Sequence, residues 1–109
     1  SLFLSKEVTN MTETEFKYSL ISEIEKRLPG AIVTKLDPSF IQGIPDLLIL
    51  WNDKWATLEV KKSIRERKKP RPNQEYYVNL MNEMSFSSFI FPENKEEVLH
   101  DLEEAFRNT

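Results

Sequence analysis

Two short apolar runs, Leu47-Leu48-Ile49-Leu50-Trp51 and Trp55-Ala56-Thr57-Leu58-Glu59-Val60, stand either side of the turn-forming Asn52-Asp53-Lys54, and no other stretch constrains the fold as strongly. Runs of this length, rich in branched and aromatic side chains and separated by so little chain, read as a β-hairpin. Pro45 fits just outside the first strand, where no ladder donor is needed. With Asn52-Asp53 as a two-residue loop, Trp51 faces Lys54 and position i faces position 105 − i, which sets Asp46 opposite Glu59. Lys61 shares the face of Glu59, while Leu58 and Val60 point to the other. A three-residue loop without a compensating bulge would instead set Asp46 opposite Val60 and send the carboxylates to opposite faces.

In the first register two carboxylates and a lysine converge. Opposed residues of antiparallel strands have Cβ atoms about 4.5–5.5 Å apart, and like charges so placed repel. At an effective dielectric of ~20 that repulsion is roughly 3 kcal/mol. A cation between them reverses its sign. An oxygen-seeking divalent ion, magnesium above all, held by Asp46, Glu59, a backbone carbonyl (taken as that of Val60) and waters, is the economical expectation. Lys61 then stands where a phosphate would arrive.

The rest of the composition narrows the chemistry. With no cysteine and only His100, thiolate nucleophiles, thiolate metal sites and histidine-rich sites are excluded, so metal chemistry must use oxygen ligands. The 109 residues amount to one small domain, so any larger active unit must be an oligomer. No apolar stretch approaches a membrane span, and Ser1-Leu2-Phe3-Leu4 is too short for a secretory signal, so the expectation is a cytoplasmic protein with no membrane partner. Residues 1–10 read as an N-terminal extension, an expression remnant or a docking arm ahead of a domain over residues 11–109. The formal charge of −3 hides a segregation: from Lys61 to Arg71, seven cations stand against Glu66, a local +6 that leaves −9 elsewhere. A basic segment leading away from the carboxylates suits a polyanion, since phosphate contacts dominate such affinities.

Periodicity supplies the remaining elements. Phe16, Leu20, Ile21, Ile24 and Leu28 predict a helix over 12–28, closed by Pro29-Gly30. Ala31 to Leu36 is β-rich. After a basic loop, Pro72-Asn73 opens a helix with Tyr77, Leu80, Met81 and Met84 as its apolar face, up to about Ser85. Phe86 to Phe91 reads as a strand ended by Pro92. Asn94-Lys95-Glu96-Glu97 has the form of a capping box for a last helix carrying Val98, Leu99, Leu102 and Phe106. The expected fold is α/β, in the order α-β-β-β-α-β-α: a mixed sheet flanked by helices.

With Gly43-x-Pro45-Asp46, Glu59-x-Lys61 and this order of elements together, the chain resembles the PD-(D/E)XK nuclease superfamily, and within it the virus-type replication-repair nuclease (VRR-NUC) family, over about residues 12–106. The resemblance implies a restriction-endonuclease-like αβββαβ core with an extra C-terminal helix. It implies metal binding by Asp46 and Glu59, a catalytic part for Lys61, and further site residues at Glu15 and Gln74. Glu13 and Glu23 rival Glu15, and Thr12-Glu13-Thr14-Glu15 is itself a capping box. Small phage-type members of this branch imply a Mg²⁺- or Mn²⁺-dependent, homodimeric endonuclease that cuts branched DNA such as four-way (Holliday) junctions. It would act in the cytoplasm (of the host, if phage-encoded) and use no nucleotide cofactor. Lys62, Arg65, Arg67, Lys68, Lys69 and Arg71 are the expected DNA-backbone contacts. A general or nicking duplex endonuclease and a non-catalytic DNA-binding module are the alternatives.

Several residues have plainer readings. Glu and Lys alternate on many solvated strands, and a charge run is usually a solvated loop. Tyr76, Tyr77, Trp51, Trp55, Phe89 and Phe91 are expected in packing or interfaces rather than stacked on bases. His100, among acidic neighbours, is expected at the surface.

Overall fold

The hairpin forms with the two-residue turn. In a computed structural model, which describes residues 11–108, strand β2 (Leu47–Trp51) pairs antiparallel with β3 (Lys54–Val60) in the register Leu47 to Leu58 and Trp51 to Lys54. Asn52 takes the positive φ of 55° that the tight turn requires, a conformation that asparagine tolerates better than most residues. The expectation for residues 1–10 lies outside the described residues.

Around the hairpin, helix α1 (Glu13–Arg27) leads into β1 (Ile32–Lys35), which pairs antiparallel with β2. After β3 come a short helix α2 (Ile64–Arg67), helix α3 (Pro72–Met84) and β4 (Phe86–Ile90), which lies parallel to β3. A 3₁₀ turn (Pro92–Asn94) and helix α4 (Lys95–Arg107) complete the order. The result is a four-stranded mixed sheet, β1-β2-β3-β4, flanked by helices. A parallel neighbour for β3 requires a crossover, and α3 supplies it. Among the described residues, no helix is long and apolar enough to cross a membrane.

The two faces of the sheet differ. On one, Leu47, Ile49, Leu58 and Val60 pack with Phe16, Leu20 and Ile24 of α1 and Leu99, Leu102 and Phe106 of α4 in the main core. Trp51 completes it by stacking on Phe106, with ring centroids 6.2 Å apart, and by donating its indole N–H to Pro29. On the other face α3 covers only β3 and β4, through a small cluster of Val78, Phe89 and Phe91. Because β3 is central and covered on both sides there, its polar alternates Thr57 and Glu59 are buried along with its apolar ones.

Three local expectations are corrected. The buried residue of α3 is Val78; Tyr77, Leu80 and Met81 are only half-buried and Met84 is 64% exposed. A helix laid on a sheet that already carries polar groups needs a narrower apolar stripe than one facing a full core. Asn94 makes no capping box: its carboxamide accepts from the Phe91 amide and donates to the Phe89 carbonyl, spending both ends on the outer edge of β4. The basic segment is not all loop, for Ser63 accepts from the Glu66 amide and so caps α2.

Candidate active site

Asp46 stands one residue ahead of β2, where the ladder would next join it to Glu59. Its carbonyl accepts from the Leu36 amide, and its carboxylate Oδ2 accepts from the Val60 amide at 2.9 Å, so the side chain takes the place of a backbone acceptor. That bond anchors one carboxylate to the strand carrying the other. The approach depends on Gly43, whose φ is +91° and where an added Cβ would fall 2.5 Å from Asn73 Cβ in the first turn of α3. No other residue fits both the conformation and the space. Pro45 is buried between this close approach and Asp46.

Glu59 is 3% exposed. Its Oε2 lies 3.5 Å from Lys61 Nζ, whereas Oε1 is, among the described residues, the buried side-chain polar atom without a hydrogen-bond partner. Burial, and then the neighbouring Asp46 carboxylate, push its acid up to about 8 from an ordinary 4.5, and Lys61 offsets only part of this. A buried carboxyl with one oxygen unsatisfied, beside a second carboxylate, is a costly arrangement for a purely structural role. Lys61 is 9% exposed, and its ammonium is also held by Gln74 Oε1 at 2.7 Å. Lys61 is thus fixed between a β3 carboxyl and the α3 amide, and its amide N–H is tied to Ile90 of β4.

Sequence reasoning missed Lys17. Its ammonium reaches Asp46 Oδ1 at 3.3 Å from α1; only its position on the core-facing half of α1, one residue beyond Phe16, hinted at this. The four residues Lys17, Asp46, Glu59 and Lys61 form a cluster of two cations and two acids. Glu15, by contrast, is exposed and closes the capping box: its Oε1 accepts from the Thr12 amide at 2.9 Å, and Thr12 Oγ1 accepts from the Glu15 amide. Those bonds hold its acid below the usual carboxylate range. Glu23 pairs with Arg27 and Lys95, in the contact with α4. Glu13 is half-buried and stands four residues before Lys17, hence on the same side of the helix.

The basic residues divide into two groups. Arg67 pairs with Glu75 at 3.0 Å and lies 3.7 Å over the Phe89 ring, and Lys69 pairs with Glu66. Lys62, Arg65, Lys68 and Arg71 are exposed. Arg71 and Gln74 line a cavity of about 270 Å³ with Gln42, Gly43 and Asn73, beside the amide that holds Lys61. A larger hollow of about 560 Å³ lies between α2, α3 and β4, lined by Arg67, Val78, Asn82 and Phe89 among others, and no residue of the charged cluster borders it.

Among the described residues, no group of three or more His, Cys, Asp and Glu side chains is arranged to hold a metal. Two carboxylates are nevertheless a suitable donor set for magnesium, which keeps several waters and is commonly held by one or two carboxylates. The orphaned Glu59 Oε1 is the observation that fits such an ion. No protein-family model, curated protein or solved structure matches this chain.

Proposed function

We propose that the chain is a divalent-metal-dependent endodeoxyribonuclease with a restriction-endonuclease-like core, of the virus-type replication-repair kind, acting as a homodimer on branched DNA such as four-way junctions. One observation carries the reading: Asp46 and the buried Glu59, one of whose oxygens has no hydrogen-bond partner, share one end of the β2–β3 pair with a lysine that Gln74 holds in place. Asp46 and Glu59, with the Val60 carbonyl, would hold Mg²⁺ or Mn²⁺, which when bound supplies a water of lowered pKa and polarises the scissile phosphate.

The chain's own residues do the rest. The Val60 amide orients Asp46, so the two acids keep a constant relation as substrate enters. Gln74 holds the Lys61 ammonium at the rim, where it meets a phosphate oxygen and stabilises charge that develops there. Because Lys61 is already positioned, little reorganisation is needed at the moment of reaction. Lys62, Arg65, Lys68 and Arg71 extend from the site as backbone contacts, which recognise DNA by shape rather than by base sequence. Two such single-site domains, related by a two-fold axis, would make the paired incisions that a junction needs.

The test is a gel assay of wild type and Glu59→Ala on labelled four-way junction, flap and linear duplex, each with Mg²⁺, Mn²⁺ or EDTA. Metal-dependent cutting of the junction, lost in the variant, is expected. Equal cutting of all three substrates would replace junction specificity by general nuclease activity. Binding without cutting in any metal would leave a non-catalytic DNA-binding module and sink the catalytic reading.

A further inference from the structure

Both oxygens of Asp46 are engaged without any metal: Oδ2 accepts from the Val60 amide at 2.9 Å and Oδ1 faces Lys17 Nζ at 3.3 Å. The two bonds differ in kind. The amide belongs to β3 and cannot leave without breaking the strand, whereas the ammonium sits on a flexible four-carbon stem. The side chains of the ion pair are 17% and 26% exposed, for lysine and aspartate, so the lysine is partly shielded yet has a path to solvent. Across the site, Lys61 has a second anchor in Gln74, so Lys17 is the more readily displaced of the two ammoniums. Were Asp46 and Glu59 to hold a divalent ion, the Lys17 ammonium beside Asp46 would be a second cation that repels it.

We infer that Lys17 is a built-in counterion for Asp46: it holds the carboxylate in position while no metal is bound, and must leave Oδ1 for Asp46 and Glu59 to hold a divalent ion. Lys17 is therefore a positioning residue that sets the metal affinity of the site, keeping it lower than the two acids alone would give. The inference rests on the metal-dependent reading above. Uptake of the ion exchanges one cation for another, so the acids are never left facing each other uncompensated.

Calorimetric titration with Mn²⁺ of the purified full chain, as wild type, Lys17→Met and Lys17→Arg, tests it. Lys17→Met should bind Mn²⁺ roughly tenfold more tightly, the scale of one lost like-charge contact at a partly shielded site. Lys17→Arg, which keeps the charge, should bind no more tightly than wild type. Unchanged or weaker binding by Lys17→Met would overturn the counterion role. Should Lys17→Met fail to fold, amine acylation of the wild-type protein read by mass spectrometry decides the same point: Lys17 should react faster in saturating Mg²⁺, and equal or slower reaction overturns the inference. If folded wild type and Lys17→Met both bind no Mn²⁺, the metal-dependent reading itself fails and this inference falls with it; binding by both at equal affinity removes only the role of Lys17.

Discussion

At the scale of single residues, the charged cluster is held by bonds that can be removed one at a time. Glu59 carries a raised acid, so between its ordinary 4.5 and its folded value of about 8 the native state binds more protons than the unfolded state. Stability of the metal-free protein should therefore be full below about pH 4.5 and decline as pH rises through about 8. The loss is on the order of 5 kcal/mol over that window. Urea denaturation across the range should show this slope, and Glu59→Gln should flatten it. If the proposed function holds, metal affinity should run the other way, rising with pH to about 8, because Glu59 must lose its proton to act as a ligand. Gly43→Ala meets both a left-handed φ and the Asn73 side chain. It should cost about 2–4 kcal/mol in the same assay. If the metal-dependent reading holds, Glu15→Gln should leave Mn²⁺ binding unchanged, since the Glu15 carboxylate is spent on the helix cap. The same titration checks it.

At the scale of elements, the β2–β3 turn and the cap of α1 control where those residues arrive. Asn52→Val places a branched residue at φ 55° and should destabilise the hairpin by about 1–2 kcal/mol, read as a lowered denaturation midpoint with unchanged slope. Thr12→Ala removes the α1 cap and should cost about 1 kcal/mol. The hairpin register is legible in the chain because a two-residue loop leaves a single pairing that buries Leu47, Ile49, Leu58 and Val60 together. The burial of α3 is not so legible. Its face is chosen by what the sheet already presents, and Thr57 with Ser87 forms a hydrogen-bonded polar strip beneath it, touched by the Met81 sulfur. Local periodicity cannot reveal that the receiving surface is polar. The edge of β4 shows the same dependence: Asn82 accepts from the Ser87 amide and Asn94 takes up Phe89 and Phe91. These carboxamides occupy groups that would otherwise pair with another strand.

At the scale of the molecule, the separation of charge matters more than the total of −3. The basic segment leaves β3 beside the acids, yet it is not six equivalent phosphate contacts, because Arg67 and Lys69 are tied to Glu75 and Glu66. If the proposed function holds, alanine at Lys62, Arg65, Lys68 or Arg71 should each lower the slope of log affinity against log salt on DNA by about 0.9. Lys69→Ala should change it less. Arg67→Ala should act chiefly on stability, since that side chain bridges α2 to Phe89 and Glu75. Binding isotherms at several salt concentrations, with a melting curve for each variant, separate these effects.

The sequence by itself indicated the main elements and, given a two-residue turn, the convergence of Asp46, Glu59 and Lys61, because strand alternation and turn length are local rules that carry over several residues without reference to the rest of the chain. It also showed where positive charge gathers. Only the tertiary structure decided that Glu59 is buried with an unpaired oxygen, that Gln74 fastens Lys61, and that Lys17 faces Asp46. Each of these depends on which helix lies over which strand, and at what distance. Burial and ion pairing are properties of that packing, set by residues remote in the chain, and so no pattern local to the sequence encodes them.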